Sequence, residues 1–256
     1  MTPPRRHEVW LLPGAVVLVF LLAWQAAVTI SGTPVFPSPL EVARGMTELV
    51  SHGLLLRYVI ASLFRVSVGF MLALAVGIPL GLAMGWFGRV FLAVNPLIQL
   101  LRPISPIAWI PIAILWFGIH DAGPIFLIFL ASLFPITTAT TAAVRTIPGV
   151  YIRAARNFGL SGPALFRRVI LPAALPQIVT GVRLALGIAW LVVVAAEMFG
   201  ITSGLGYLII DARNAGRRYD LVVAGMVLIG IIGLVLDVLV RRLEGLDEVR
   251  WGFSPQ

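Results

Sequence analysis

The sequence predicts an all-α, polytopic membrane protein with about six transmembrane helices. Three observations carry that prediction. Of the 256 residues, 59% are hydrophobic and only 12% charged, with a mean hydropathy of +1.00, a balance that a soluble domain of this length does not reach. The apolar residues fall into runs of roughly 20, the length that crosses ~30 Å of hydrocarbon as a helix. Most of the basic residues lie between those runs; Arg65, Arg102 and Arg183 fall near or within them.

The first run, Val9 to Ile30, follows Arg5 and Arg6 and is long enough to span. A signal peptide is the competing reading, given the small residues Ala26 and Ala27. Its apolar part would be ~7–15 residues, shorter than this run, so a retained span is expected. A turn-rich connection, SGTPVFPSPL, leads to EVARGMTELVSHGLLLRYV. There, apolar residues at helical spacing alternate with Glu41, Arg44, Glu48 and Arg57, which predicts an amphipathic surface helix. The second span covers Ser62 to Trp86. Its Gly77, Gly81 and Gly85, at four-residue steps, predict close approach of another helix, and Pro79 predicts a kink. The third, Phe91 to Phe117, is interrupted by Pro96, Pro103, Pro106 and Pro111 around Arg102, and reads as a broken helix. The fourth runs from Ile125 to Val144 and carries Thr137, Thr138, Thr140 and Thr141. The fifth and sixth are Ile178 to Phe199 and Leu221 to Val240.

Net charge is +8, and every one of the 19 basic residues is arginine. With no lysine the chain has no P-loop lysine for the phosphates of ATP and no amine for a Schiff base. With no cysteine it has no disulfide, thiol nucleophile or thiolate metal site. Of its three histidines, His7 is at the terminus, His52 in the outer amphipathic stretch and His120 in a loop, so none lies within a span beside a serine, as an intramembrane hydrolase would need. The arginines are dispersed over both sides of the membrane, which speaks against a nucleic-acid surface.

Short loops rich in arginine stay cytoplasmic. If the N-terminus is inside, the inner segments hold Arg5, Arg6, Arg89, Arg145, Arg153, Arg156, Arg167, Arg168, Arg241, Arg242 and Arg250. The outer ones hold only Arg44, Arg57, Arg213, Arg217 and Arg218, so both termini are expected in the cytoplasm. The stretch RAARNFGLSGPALFRRVILPAALPQ, from Arg153 to Gln177, then connects spans four and five on the cytoplasmic side. Gly159 permits a left-handed stop, Ser161 offers a cap, and Pro163 suits a first helical turn. Two short helices at an angle are expected. The second, Pro163 to Ile170, should end before Pro172, with Pro176 redirecting the chain into span five. Such an element suits docking into another protein.

The spacing Arg153-Ala154-Ala155, three residues, Gly159, nine residues, Val169, one residue, Leu171-Pro172 resembles the EAA loop of ABC importer permeases, Glu-Ala-Ala-x3-Gly-x9-Ile-x-Leu-Pro. Val169 is a conservative replacement, whereas Arg153 reverses the charge of the usual glutamate. Further stretches, LRPISPIAWIPIAILWFGI, LPAALPQIVTGVRLALGIAWLVVVAAEM and SGLGYLIIDARN, look like the type I branch that imports nitrate, sulfonate, taurine and bicarbonate. The likeness spans about Arg57 to Arg242. It implies a permease core over 57–242 with its EAA-like loop at 153–172. Residues 1–56 would form a cytoplasmic tail, first span and outer amphipathic segment, and 243–256 a cytoplasmic tail.

The resemblance further implies a type I permease fold in a bacterial inner membrane, in which this loop is the coupling helix that fits a groove of the ATP-hydrolysing subunit. Arg153, Ala154, Ala155, Gly159, Ser161, Pro163, Leu165, Phe166, Leu171 and Pro172 would form it. It implies two ATPase subunits, a second identical permease chain, and a periplasmic or lipid-anchored binding protein that delivers a small anion. ATP would be used by the partner, with no cofactor bound by this chain. Arg183 and Glu197 are expected pathway residues because intramembrane charges are costly, Arg102 because the prolines around it free backbone groups that need a protein- or water-lined setting, and Thr137 and Thr141 as hydroxyls for a passing oxyanion, with bonds to their own backbone as the alternative. A secondary transporter or channel for small anions is the alternative; it should show two similar halves, and no internal repeat is visible.

Overall fold

The computed structural model describes residues 8–32, 35–51 and 53–242. Arg5, Arg6, His7, His52, Arg250 and the tail from 243 onward lie outside the described residues, and so do the expectations placed on them. Helices α1 (Glu8–Ser31), α3 (Leu54–Trp86), α6 (Ala122–Arg145), α9 (Leu171–Glu197) and α11 (Tyr219–Arg241) are long and apolar enough to cross a membrane. Helices α4 (Gly88–Leu101) and α5 (Ile110–Phe117) are joined by a 3-10 turn, Pro106–Trp109, and bend by 82°, so the pair makes a broken sixth span. The shorter elements are α2 (Pro39–Ser51), α7 (Gly149–Asn157), α8 (Gly162–Leu165) and α10 (Leu205–Asn214).

The centre is a row of three helices, α3 against α6 and α6 against α9. Gly69, Ala73, Gly77, Gly81 and Gly85 form one stripe of α3, and without side chains there the backbones of α3 and α6 come together. A Cβ on Gly81 would lie 2.6 Å from Thr140 Cβ, and one on Gly85 2.5 Å from Val144 Cβ. Small residues allow this approach, and in lipid the packing itself is the main attraction. On α6, Ile128, Ile136 and Thr140 fill the other side of the seam and are fully buried. Most of α11 and nearly all of α1 face outward with apolar side chains, as lipid-exposed helices do.

The amphipathic stretch expected around 41–59 is two elements rather than one. Ser38 and Glu41 form a capping box at the start of α2, with Glu41 N–H on Ser38 Oγ at 3.3 Å and Ser38 N–H on the Glu41 carboxylate at 2.6 Å. These bonds hold the Glu41 carboxyl below its ordinary pKa. α2 ends at Ser51, and Gly53, at φ +67°, turns the chain directly into α3. The second span therefore begins at Leu54, not Ser62, and includes Arg57. α3 continues through Pro79 as one helix. Arg218 fastens α2 to the foot of α11, with Nη2 at 2.5 Å from Glu48 Oε2 and 2.8 Å from Asp220 Oδ2. These bonds raise its pKa further.

The expected break before Pro172 is absent, a second correction. From Gly162 to Glu197 the chain is one continuous helical rod of 36 residues. Its turn Phe166–Ile170 is a π-helix, and Leu171 N–H donates to Phe166 O in the wide i→i−5 pattern. A wide turn relieves the clash a proline ring makes with the carbonyl four residues back, so Pro172 sits in the rod without ending it, and the helix also continues through Pro176. α10 was not expected from the sequence as a separate element. It packs on α9 and α11.

Candidate functional site

The α7–α8 hairpin sits at the end of the molecule where α3 finishes, because Trp86 of α3 stacks edge-on against Phe166 with ring centroids 5.7 Å apart. It is built by local chemistry. α7 closes with a Schellman motif: Gly159 N–H donates to Arg156 O at 2.9 Å and Leu160 N–H to Ala155 O at 3.0 Å. Gly159 holds φ +81°, the left-handed conformation the motif requires. Ser161 then stands at the N-cap of α8 in an extended conformation, but its hydroxyl makes no capping bond; Pro163 fills the first turn.

Side chains divide cleanly. Ala155, Leu165 and Ile170 point inward and are buried, pinning the hairpin to the bundle. Arg153, Ala154, Arg156, Ser161 and Pro163 point outward, as do Arg167 and Arg168, while Leu171 and Pro172 are half-buried at the root. Phe158 stands at the tip, 87% exposed, with Val150 and Tyr151 also exposed on α7. Leu165 is thus an anchor inside the protein and not a contact for a partner. Phe158, which sequence reasoning passed over, is the apolar group on offer. The only signal for it was an aromatic residue beside the glycine stop. An apolar groove of about 760 Å³ lies beside the hairpin, lined by Trp86, Phe87, Pro163, Phe166 and Leu171 among others.

At the opposite end, where α3 begins, lies a buried ionic cluster. Arg65 of α3 is 2% exposed and places Nη1 at 2.6 Å from Glu197 Oε1 and Nη2 at 2.6 Å from Asp121 Oδ1. It also donates to the carbonyl of Ser203 at 2.9 Å and to its hydroxyl at 2.5 Å. Glu197 accepts in addition from the Ser62 hydroxyl at 2.8 Å and from Gly206 N–H at 3.0 Å. Leu205 N–H donates to Ser62 Oγ at 2.9 Å, so the carboxylate and the serine together cap the start of α10. A side chain at Gly204 would place its Cβ 2.3 Å from the Glu197 carboxylate, and its φ is +106°. A buried pair is tolerable only when its remaining donors and acceptors are satisfied, and here they are.

The five expected pathway residues are not gathered into one site. Glu197 belongs to that cluster. Thr137 and Thr141 are buried in the α3–α6 seam, where the Thr141 hydroxyl donates to Thr137 O at 2.7 Å and the Thr137 hydroxyl has no partner among the described residues. Arg183 pairs with Asp237 of α11, Nε to Oδ1 at 2.7 Å. Arg102 is exposed at the α4–α5 bend, 14 residues and so about 20 Å along from the start of α4. Arg65, Asp121 and Ser62 were missed as partners of Glu197. Among the described residues no group of three or more histidine or acidic side chains could hold a metal ion.

Comparison with known proteins bears on these features. Residues 77–246 match the family described as binding-protein-dependent transport system inner membrane component. A putative ABC transporter permease of Methanocaldococcus jannaschii is 45% identical over 77% of this chain and 73% of its own. The taurine transport system permease of Escherichia coli is 34% identical over 94% and 90%. The bicarbonate transport system permease of Synechococcus elongatus is 38% identical over 91% and 88%. Among solved structures, an inward-facing methionine ABC transporter superposes with a TM-score of 0.66 at 21% identity, covering 75% of this chain and 95% of its own.

Proposed function

The chain belongs to the binding-protein-dependent transport system inner membrane components, the permeases of ABC importers, and on that premise we propose that it forms the translocation pathway for a small anion in a bacterial inner membrane. Two identical copies enclose the path. A periplasmic or lipid-anchored binding protein delivers nitrate, a sulfonate, taurine or a similar solute, and two separate ATPase subunits supply the energy. Both termini lie in the cytoplasm. The chain itself binds no cofactor, and ATP is consumed by its partners.

The observation that carries this reading is the α7–α8 hairpin. It projects exposed Phe158, Tyr151 and four arginines from the end of the bundle, while Ala155, Leu165 and Ile170 are buried on its inner side and Ile170 packs with Ala174 and Ile178 of α9. Because α8, the wide turn and α9 are one rod, a push on the hairpin is delivered along a continuous helix to Glu197, 35 residues away. There, Arg65 and Asp121 tie the rod to α3 and to the start of α6. A displacement that begins at the hairpin therefore has a stiff path to the far end of the core, the kind of linkage by which two packed arrangements exchange. Relatives named for taurine and bicarbonate support a solute that bears an oxyanion group. Within the path, Arg102 is the cation placed to attract it, at a bend whose prolines leave backbone groups that need a polar lining.

The test is uptake into proteoliposomes holding the permease, its ATPase and its binding protein. Accumulation of labelled taurine, nitrate or bicarbonate is expected only with ATP and with all three components. Accumulation by the permease alone, without nucleotide, would overturn the proposal.

A further inference from the structure

We infer that the socket receiving this hairpin on the ATPase is acidic around an apolar hole, the reverse of a socket built for the usual glutamate. This rests on the proposed function and goes further by fixing the chemistry of the partner's surface. Arg153 and Arg156 stand three apart on α7, so they share a face of that helix. Arg167 and Arg168 occupy the wide turn that packs on α7. All four are exposed, and none has an acidic partner among the described residues.

Nor do the described stretches of chain leading into and out of the hairpin provide one. Between Asp121 and Glu197 the sequence contains no aspartate or glutamate at all, and both of those acids are committed to Arg65 at the other end of the bundle. The charge on the described hairpin is therefore all cationic, set around exposed apolar side chains of which Phe158, 87% exposed, is the most prominent. Burying it against a neutral or basic groove would strand four guanidinium groups without compensation, a cost of several kcal/mol for each fully desolvated charge. Carboxylates on the partner remove that cost and steer the encounter. Arginine also presents a planar fork that grips a carboxylate with two parallel bonds, which makes the pairing specific as well as attractive. In this account Phe158 fills the hole, Arg153 and Arg156 read the rim, and this permease rejects ATPases whose rim carries arginine.

The test measures binding of the separately purified ATPase of this transporter to the full-length permease in nanodiscs of neutral lipid. For the wild type, affinity should fall steeply between roughly 0.1 M and 1 M salt, as the Debye length drops from ~10 to ~3 Å. Arg153→Glu and Arg156→Glu should each raise the Kd about ten-fold or more and flatten that salt dependence. Phe158→Ala should raise the Kd but leave the salt dependence steep. Arg89→Glu, an exposed reversal at the start of α4 on the same end of the molecule, should change neither.

If the wild type binds with no salt dependence, or Arg153→Glu binds as well as the wild type, the acidic socket is wrong while ATPase coupling stands. No binding of this ATPase under any condition would instead strike at the proposed function. Should the reversals leave ATPase affinity unchanged and only weaken association with phosphatidylglycerol vesicles, the arginines serve the lipid headgroups and the inference falls.

Discussion

Gly159 shows how one residue can matter without touching anything. A Cβ built on it meets no atom within 4 Å, so a larger side chain has room. The obstacle is the backbone, held at φ +81°, where an ordinary L residue loses ~1–2 kcal/mol. Asparagine tolerates that region better than a β-branched residue does. Gly159→Val should therefore splay the hairpin and weaken ATPase binding about ten-fold, Gly159→Asn should weaken it only slightly, and both proteins should insert into membranes normally. Equal affinity of the two variants for the ATPase would show that the left-handed turn is not what positions the hairpin. Leu165 makes the opposite point. Its sequence position suggests a contact with the partner, yet at 2% exposure it belongs to the anchoring side, and Phe158 takes the outward role.

Among the elements, the α3–α6 pair is set by its stripe of small residues, and the consequence is measurable. Gly81→Ala brings a methyl to 2.6 Å from Thr140 Cβ and 2.8 Å from Thr137 O, so the helices must part. Overpacking of this kind costs ~1–3 kcal/mol. Gly230 of α11 has nothing within 4 Å of its would-be Cβ, and alanine there should be neutral or gain up to ~1 kcal/mol from helix propensity. Thermal unfolding of the two detergent-solubilised variants checks this; a midpoint for Gly81→Ala at or above that of Gly230→Ala would be the wrong order. This seam was legible in the sequence, since the glycine repeat announced a close approach, and so were the spans, the broken third helix and the glycine stop of the hairpin.

Other elements were not legible, for reasons that can be named. Pro172 argued for a break because a proline rule is local, whereas the π turn that admits it is seen only in the folded chain, where it packs against α7 and Trp86. Arg65 and Glu197 are 132 positions apart, so nothing in their own neighbourhoods announced the pair. Glu197 alone read as an isolated intramembrane acid. α10 was hidden because its start is capped by Glu197 and Ser62, which reach it from other helices.

For the molecule as a whole, the decisive arrangement is polarity: the cationic hairpin at one end, and the ionic cluster with α10 and the Arg218 clamp at the other. The alternation of spans forces this separation, because α3, α6 and α9 each run the full distance between the two ends. The proposed orientation, argued from arginine bias, puts the hairpin end in the cytoplasm. The absence of cysteine from the chain makes the assignment directly testable, since one introduced thiol is then the only reactive site. Phe158 and Arg213 are suited positions, both exposed and at opposite ends of the bundle. In intact spheroplasts a membrane-impermeant maleimide should label Arg213→Cys and leave Phe158→Cys unlabelled until the membrane is opened. Labelling of Phe158→Cys in closed spheroplasts would put the hairpin outside the cell, where no ATP-hydrolysing subunit could reach it. The inverted orientation would then sever the mechanical link from nucleotide to α9, whatever the family resemblance of the fold.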